Sequence, residues 1–276
     1  MRASFKLQAI RFALVVIALI AFLSPIAWTL LASVGFQPDN NTSPPSWKGS
    51  FTFENFADVG IAEPSFWAEL ATSAASAVCA SALTVCASLP AAYGLARSRF
   101  HGHRLLSQGF LVLATLPAMA YVIPLSDVIR RLHLVDTFVG LVLTESAVTA
   151  PLAIYVLQGA IRQLAPEWEE AAWLEGAALW RILIRIVLPV AAPAAAATAL
   201  ILFVLDWNLL IVPLVLTSGE LKTLPVAMSD FFTFERELEW PTAAAALTIS
   251  LAPVVVLVAV FHGVLDHFAT GIGSHD

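Results

Sequence analysis

Long apolar stretches separated by short polar ones set the hydropathy pattern of this chain. A helix that crosses the hydrocarbon core of a bilayer needs about 20 mainly apolar residues. Stretches of that length predict six transmembrane helices, at residues 11–34, 66–95, 105–126, 138–160, 188–216 and 241–264. We expect the first helix to be retained, because its apolar run is longer than the roughly 7–15 residues of a signal-peptide core and no clear cleavage site follows it.

A half-polar segment lies between the fourth and fifth apolar stretches. It starts after Pro166, a residue suited to the first turn of a helix, and Glu167, Glu169 and Glu170 follow where the helix dipole favours negative charge. Gly176 predicts a helix end or a sharp turn. Spacing of i, i+3, i+4 and i+7 then predicts a second short helix with an apolar face of Trp180, Leu183, Ile184 and Val187. Two short helices joined at a glycine beside a membrane predict a docking surface for a soluble partner.

Composition and charge agree with a membrane protein. Of the 276 residues, 59% are hydrophobic and 12% are charged, whereas a soluble domain has about 25% charged residues. With the N-terminus inside, nine of the fourteen Lys and Arg residues fall in inner segments. Since positive charge marks cytoplasmic loops, we expect both termini and the loop at 161–187 to be cytoplasmic.

Three polar residues stand at membrane depth. Glu145 lies in the fourth predicted helix, and Asp206 and Asn208 flank Trp207 in the fifth. Such groups usually face a bundle interior or a water-filled cavity. We therefore expect the three polar residues, together with Trp207, to line a solute path. Two other interpretations stay open. The carboxyls could satisfy neighbouring polar groups while Asn208 caps a helix broken near Pro213, or Glu145 and Asp206 could relay protons in a proton-coupled secondary transporter.

Two of the predicted loops on the outer side of the membrane are long. Residues 35–65 predict an irregular loop over the helix bundle. The loop at 217–240 carries an aromatic cluster among acidic residues, namely Phe231, Phe232 and Phe234. This cluster predicts either contact with an extracytoplasmic partner or rings placed in the membrane interface, where aromatic residues gather.

Several chemistries find no support in the pattern. No G-x-x-x-x-G-K-[S/T] phosphate loop occurs, so any nucleotide chemistry belongs to a partner. The histidines do not stand at metal-ligand spacing with cysteines or carboxylates, and no nucleophile motif assembles, so we expect neither a metal site nor an enzyme. Cys79 and Cys86, seven residues apart in one apolar run, are too far apart on a helix to bridge and are expected to be buried thiols.

Residues 170–189, EAAWLEGAALWRILIRIVLP, resemble the EAA signature of ABC importer permeases, and we call them the EAA segment. Glu175 stands where Asp is usual and Leu183 where Phe is usual, and both keep the chemical type. The matching residues are Glu170, Ala171, Ala172, Gly176, Ala177, Ile186, Leu188 and Pro189.

Further stretches resemble the smaller permease subunit of carbohydrate importers of the maltose type. They are FTFENFADV (51–59), AAYGLARSRF (91–100), IPLSDVIRRLHLVDTFVGLVL (123–143) and DWNLLIVPLVLT (206–217). His133 stands where Gly is common, and Asp206 replaces a residue that is usually uncharged.

The resemblance implies an all-α, polytopic membrane protein with six transmembrane helices and the type I importer permease fold. It implies a cytoplasmic tail, first transmembrane helix and extracytoplasmic loop at 1–65. A core permease domain at 66–265 would contain the cytoplasmic coupling loop at about 161–187, and a cytoplasmic tail would follow at 266–276. The setting would be the bacterial cytoplasmic membrane. Residues implied in coupling to an ATPase are Glu170, Ala171, Ala172, Glu175, Gly176, Ala177, Arg181 and Pro189.

The same resemblance implies a set of partners. They are a second homologous permease, two ATPase subunits, an extracytoplasmic solute-binding protein that the loop around residues 231–234 would reach, and membrane lipid. ATP and Mg would be used by the ATPase and not by this chain, which would hold no cofactor, no metal and no nucleic acid. We therefore expect a transport subunit for a sugar or related solute.

Overall fold

The computed structural model describes residues 2–39, 46–48, 51–98, 101–217, 221–229 and 240–272, and most of them are helical. The helices are α1 (Arg2–Ser33), α2 (Glu54–Asp58), α3 (Pro64–Arg97), α4 (His103–Thr115), α5 (Met119–Arg131), α6 (Phe138–Arg162), α7 (Glu167–Leu174), α8 (Leu179–Ile182), α9 (Leu188–Trp207), α10 (Ile211–Leu216), α11 (Leu224–Ser229) and α12 (Trp240–Ile272). A π-helical turn, Leu183–Val187, joins α8 to α9.

Among the described residues, five helical stretches are long and apolar enough to cross a membrane, and the bent pair α4 and α5 is a sixth if the two helices count as one span. The five are Ile10–Ser33, Pro64–Arg97, Phe138–Arg162, Leu179–Trp207 and Trp240–Phe261. The multi-pass, all-α prediction is therefore confirmed. α12 also continues to Ile272, past the predicted helix end at residue 264.

The prediction of one continuous third helix at 105–126 is wrong. The helix is split into α4 and α5, which are bent by 96° at the break between them. Leu116, the residue before Pro117, has an extended backbone with ψ 143°, because proline disfavours the helical conformation of the residue that precedes it. The apolar run continues through the bend, so hydropathy does not reveal it.

The fifth predicted helix, 188–216, is likewise interrupted. α9 ends at Trp207 and α10 begins at Ile211. The Asn208 side-chain amide donates a hydrogen bond to the Val204 carbonyl oxygen at 2.7 Å. The Asn208 backbone N–H donates to the same oxygen at 3.3 Å, so Asn208 closes the last turn of α9. Asn208 thus lies where the open interpretation of a broken helix near Pro213 placed it.

One compact unit comprises Met1–Trp67 and Met228–Ala252. It holds an antiparallel ribbon of β1 (Gln37–Asp39) and β2 (Ser46–Lys48), in which Pro38 pairs with Trp47. The prediction of a wholly irregular loop at 35–65 is therefore wrong for these two strands and for α2. The Asn55 side-chain amide, on α2, donates to the Ser33 carbonyl oxygen at 3.0 Å and ties α2 to the end of α1.

The second compact unit comprises Ala68–Ala227 and Pro253–Asp276. In it α6 packs against both α4 and α9. Small residues on the α9 surface, such as Ala191, Ala194 and Thr198, are buried, and small residues let helix backbones approach closely in a membrane. The core of this unit is therefore built around α6.

The two cysteines do not lie where they were expected. Cys79 and Cys86 are free thiols on exposed faces of α3. In a membrane protein such a face meets lipid or another subunit, which an apolar sequence pattern does not distinguish from a protein core. The prediction of buried thiols is wrong.

Candidate functional site

The first half of the EAA segment is a short helix closed by a glycine turn. α7 ends at Leu174, and Gly176 has a left-handed backbone with φ +78°. The Gly176 N–H donates to the Trp173 carbonyl oxygen at 3.0 Å, and the Ala177 N–H donates to the Ala172 carbonyl oxygen at 3.0 Å. These two bonds form a Schellman motif, which needs a residue that tolerates positive φ. The predicted helix stop at Gly176 is confirmed.

The second half of the segment differs from the prediction. α8 does not form a separate short helix, because it continues through the π-helical turn into α9 as one span, Leu179–Trp207. The buried side chains are Ile182 and Val187, each 0% exposed, whereas Trp180 and Ile184 are 58% and 56% exposed. Bonds between residues five apart in a π turn place Ile182 and Val187 on one face. Of the predicted apolar face, Val187 is therefore buried and Leu183 half-buried, whereas Trp180 and Ile184 are exposed.

The residues implied in coupling to an ATPase fall into two groups. Ala172 and Ala177 are half-buried and pack on an apolar cluster of the second unit. The others lie at the surface, namely Glu170, Ala171, Glu175, Gly176, Arg181 and Pro189. The Arg181 guanidinium carbon lies 5.5 Å from the centre of the Trp180 ring, within range of a cation–π interaction.

Large apolar side chains lie on the same surface. Leu174 is 90% exposed, and Trp168, Trp173 and Trp180 are at least half exposed. Tryptophan is enriched where proteins bind one another, and contiguous exposed apolar groups mark interaction sites. Together with Glu170 and Glu175 they form a mixed aromatic and acidic surface, which we call the α7 surface.

One residue of this region was missed as a functional candidate. Glu169 is one of the acidic residues that the sequence places in the first turn of α7, but its residue exposure is only 5%. Tyr93 Oη donates to Glu169 Oε2 at 2.9 Å, and Arg97 Nε donates to Oε1 and Oε2 at 3.0 and 3.1 Å. The available signal was the pair Tyr93 and Arg97, which stand one helical turn apart at the end of a predicted span.

The structure brings Glu145 and Asp206 together. They are 1% and 3% exposed and lie on α6 and α9, which pack against each other. Glu145 Oε2 and both Asp206 carboxyl oxygens have no hydrogen-bond partner among the described residues. Such orphaned buried oxygens are costly.

The other two residues predicted for a solute path lie differently. Trp207 is 2% exposed, and its ring stacks on Phe203 with the ring centres 6.0 Å apart. Asn208 is exposed and hydrogen-bonded to its own helix. Phe231, Phe232 and Phe234, predicted to contact a binding protein, lie outside the described residues.

A cavity of about 520 Å³ lies among α4, α6 and α9. Ser107 Oγ donates to Gln158 Oε1 at 2.6 Å on its wall, while Gln158 Nε2 has no partner among the described residues. Glu145 and Asp206 are not among its lining residues. The sequence pattern did not single out this cavity.

In the second unit, apolar spans bury polar residues such as Glu145 and Asp206, and a short surface helix with a glycine turn lies between two spans. These are features of a membrane transport subunit. Residues 46–270 match the family described as "binding-protein-dependent transport system inner membrane component". The chain belongs to this family, and it is the permease subunit of an ABC importer that works with a solute-binding protein. The resemblance found in the EAA segment is thereby confirmed.

Two curated relatives cover most of the chain. The trehalose transport system permease protein SugB of Mycobacterium tuberculosis is 31% identical over 87% of this chain and 87% of its own length. The trehalose/maltose transport system permease protein MalG of Thermococcus litoralis is 32% identical over 87% of this chain and 86% of its own length.

A solved structure has the same fold. One chain of a bacterial ABC transporter involved in the import of the acidic polysaccharide alginate superposes with a TM-score of 0.74 over 95% of this chain and 98% of that chain, at 20% identity. At this identity the likeness establishes the fold, and the type I importer permease fold is confirmed.

Proposed function

We propose that the chain forms half of the translocation path of an importer for a sugar or a related hydroxylated solute. The α7 surface carries the part of this proposal that concerns coupling to an ATPase, because it offers exposed tryptophans and carboxylates beside the turn at Gly176. Glu170 would pair with a basic group of an ATPase subunit, and one ATPase subunit would bind each of two homologous permeases. The solute class is supported by the names of relatives that carry trehalose or maltose.

Topology follows from the distribution of positive charge. Both termini and the EAA segment would be cytoplasmic, so that ATPase subunits reach Glu170 and Arg181. ATP and Mg would be bound by those subunits. The solute would arrive from an extracytoplasmic binding protein, for which residues 231–234 remain the predicted contact.

We expect uptake to be driven by ATP. The chain should be reconstituted with its partner permease, ATPase and binding protein in proteoliposomes that hold ATP, and uptake of radiolabelled trehalose and maltose measured. Collapsing the proton gradient should leave uptake within about twofold of its starting rate, a change of about 0.4 kcal/mol at most, because ATP hydrolysis and not the proton gradient would supply the free energy for transport.

A matched preparation with a hydrolysis-deficient ATPase subunit is the control, and its uptake should be lost. The opposite pattern, loss with the uncoupler and survival with the inactive ATPase, would favour a proton-coupled carrier that uses Glu145 and Asp206.

A role for Glu145 and Asp206 in the solute path is a separate proposal. Glu145→Gln and Asp206→Asn should each lower the uptake rate roughly tenfold, because each removes a carboxylate that would accept a hydrogen bond from a solute hydroxyl. The amount of ATPase that copurifies should not change, because both residues are buried at membrane depth. Asp127→Asn, at an exposed position of α5, is the matched control. Unchanged kinetics in both variants would assign the pair to helix packing.

A further inference from the structure

We propose that Tyr93, Arg97 and Glu169 form a bridge that carries the motion of α7 into the transmembrane helix α3. We call these three residues the α3–α7 bridge. They are positioning residues for coupled transport and not contacts of the ATPase. The inference rests on the proposed docking of the α7 surface, and it adds the route by which a force applied there enters the membrane.

One guanidinium group connects three parts of the second unit. Arg97 is the last residue of α3, and its Nε atom contacts both carboxylate oxygens of Glu169 on α7. Its Nη2 atom donates to the Leu164 carbonyl oxygen at 3.0 Å, in the connection that follows α6. Displacing α7 therefore pulls on α3 and on the end of α6 through the same planar group.

The surroundings make this bridge different from a surface ion pair. The Arg97 and Glu169 side chains are 21% and 6% exposed, so salt screens the pair little. Hydrogen bonds between an arginine fork and a carboxylate are short and directional. Tyr93 Oη, also on α3, completes the bridge at 2.9 Å from Glu169 Oε2.

Two adjacent carboxylates of α7 have opposite environments. Glu169 is buried against α3, whereas Glu170 is exposed. Successive residues point about 100° apart around a helix of 3.6 residues per turn, so the two carboxylates face different neighbours. Glu170 is free to meet a partner while Glu169 holds α7 to the membrane helices.

Apolar contacts alone would not give the same connection. Ala172 and Ala177 pack on a cluster that includes Leu157, Ile182 and Val187, but such contacts are non-directional and allow α7 to slide. The bridge lies beside this cluster, since Tyr93 belongs to both. Discrete hydrogen-bonded contacts of this kind can carry coupling between sites.

The test measures solute taken up per ATP hydrolysed by the full complex in proteoliposomes, with radiolabelled trehalose and maltose as the solute probes. Glu169→Gln should lower this ratio by about tenfold, because it weakens hydrogen bonds to a charged group, while the ATPase still copurifies. Glu167→Gln changes an exposed carboxylate in the same turn and should keep the starting ratio.

Two further variants separate coupling from folding. Removing one member of a buried ion pair leaves an unpaired charge, whereas replacing both with apolar residues is often tolerated. The double variant Arg97→Leu/Glu169→Leu should therefore assemble with the ATPase but still take up less solute per ATP hydrolysed than the unmodified complex. Tyr93→Phe keeps the ring in the apolar cluster and should lower the ratio by about threefold, the effect of one modest hydrogen bond.

Each outcome decides between the proposals. Starting ratios in both the double variant and Tyr93→Phe would overturn the bridge while leaving the proposed function intact. Loss of ATPase copurification in Tyr93→Phe would also overturn it, since the residues would then act in docking. Failure of the unmodified complex to take up any solute with ATP would contradict the proposed function itself.

Discussion

Gly140→Ala is expected to destabilise the folded chain by about 3 kcal/mol, from overpacking together with damage to a helix N-cap. A Cβ atom at Gly140 would lie 2.0 Å from the Leu134 carbonyl oxygen and 3.1 Å from Thr137 Oγ1. The obstacle is backbone, which cannot rotate away as a flexible side chain would. Thr137 Oγ1 also accepts a hydrogen bond from the Gly140 N–H at 3.0 Å and caps α6. The added methyl group therefore displaces the start of the helix around which the second unit packs.

Intrinsic tryptophan fluorescence during thermal unfolding in detergent measures this effect. Gly159→Ala is a matched control on the same helix, because a Cβ there meets no atom within 4 Å. It should raise stability by about 0.5–1 kcal/mol, as alanine is favoured over glycine inside a helix. Equal unfolding temperatures for the two variants would contradict the close approach of Leu134 to Gly140.

The membrane spans could be predicted because apolar length is a local property of the sequence. The bend between Thr115 and Met119 could not, since the hydropathy continues through it and only Pro117 hints at a break. The π-helical turn had no signal in the 3.6-residue spacing either. It places Ile182, which lies outside the predicted apolar face, beside Val187 in the buried cluster, as a consequence of packing on α3 and α6.

His133 stands at a position where glycine is common in the family. The backbone conformation at this position gives a physical reason for that glycine. His133 has φ +57° in the turn between α5 and α6, a left-handed conformation that glycine adopts without steric cost. Histidine is one of the non-glycine residues that tolerates it. The position is therefore a backbone requirement that this chain meets with a different residue.

In the candidate site, local features could be predicted from the sequence and long-range contacts could not. Gly176 and the acidic start of α7 could be predicted, because helix caps and turns depend on a few adjacent residues. The meeting of Glu145 with Asp206, and of Glu169 with Arg97, joins residues that are far apart in the chain. Only the packing of α6 on α9, and of α7 beside the end of α3, brings these groups together.

Gly176→Val is expected to lower ATP-driven uptake by at least tenfold while the chain remains in the membrane. The Gly176 backbone has φ +78°, where a β-branched residue is a genuine outlier and an L-residue costs about 1–2 kcal/mol. Space is not the obstacle, since a Cβ there meets no atom within 4 Å. The strain would instead break the two Schellman hydrogen bonds and change the angle at which α7 leads into α8.

Gly176→Asn is the matched control, because asparagine tolerates the left-handed conformation, and it should keep most of the uptake.

Glu170→Ala should also lower uptake, through loss of the exposed carboxylate that the proposed docking requires, but without strain in the turn. Uptake, ATP hydrolysis and ATPase copurification from the same proteoliposome preparations separate these effects. Starting rates of uptake in both Gly176→Val and Glu170→Ala would rule out coupling through the EAA segment. Loss in Gly176→Val with retention in Gly176→Asn would assign the requirement to the backbone of this one turn.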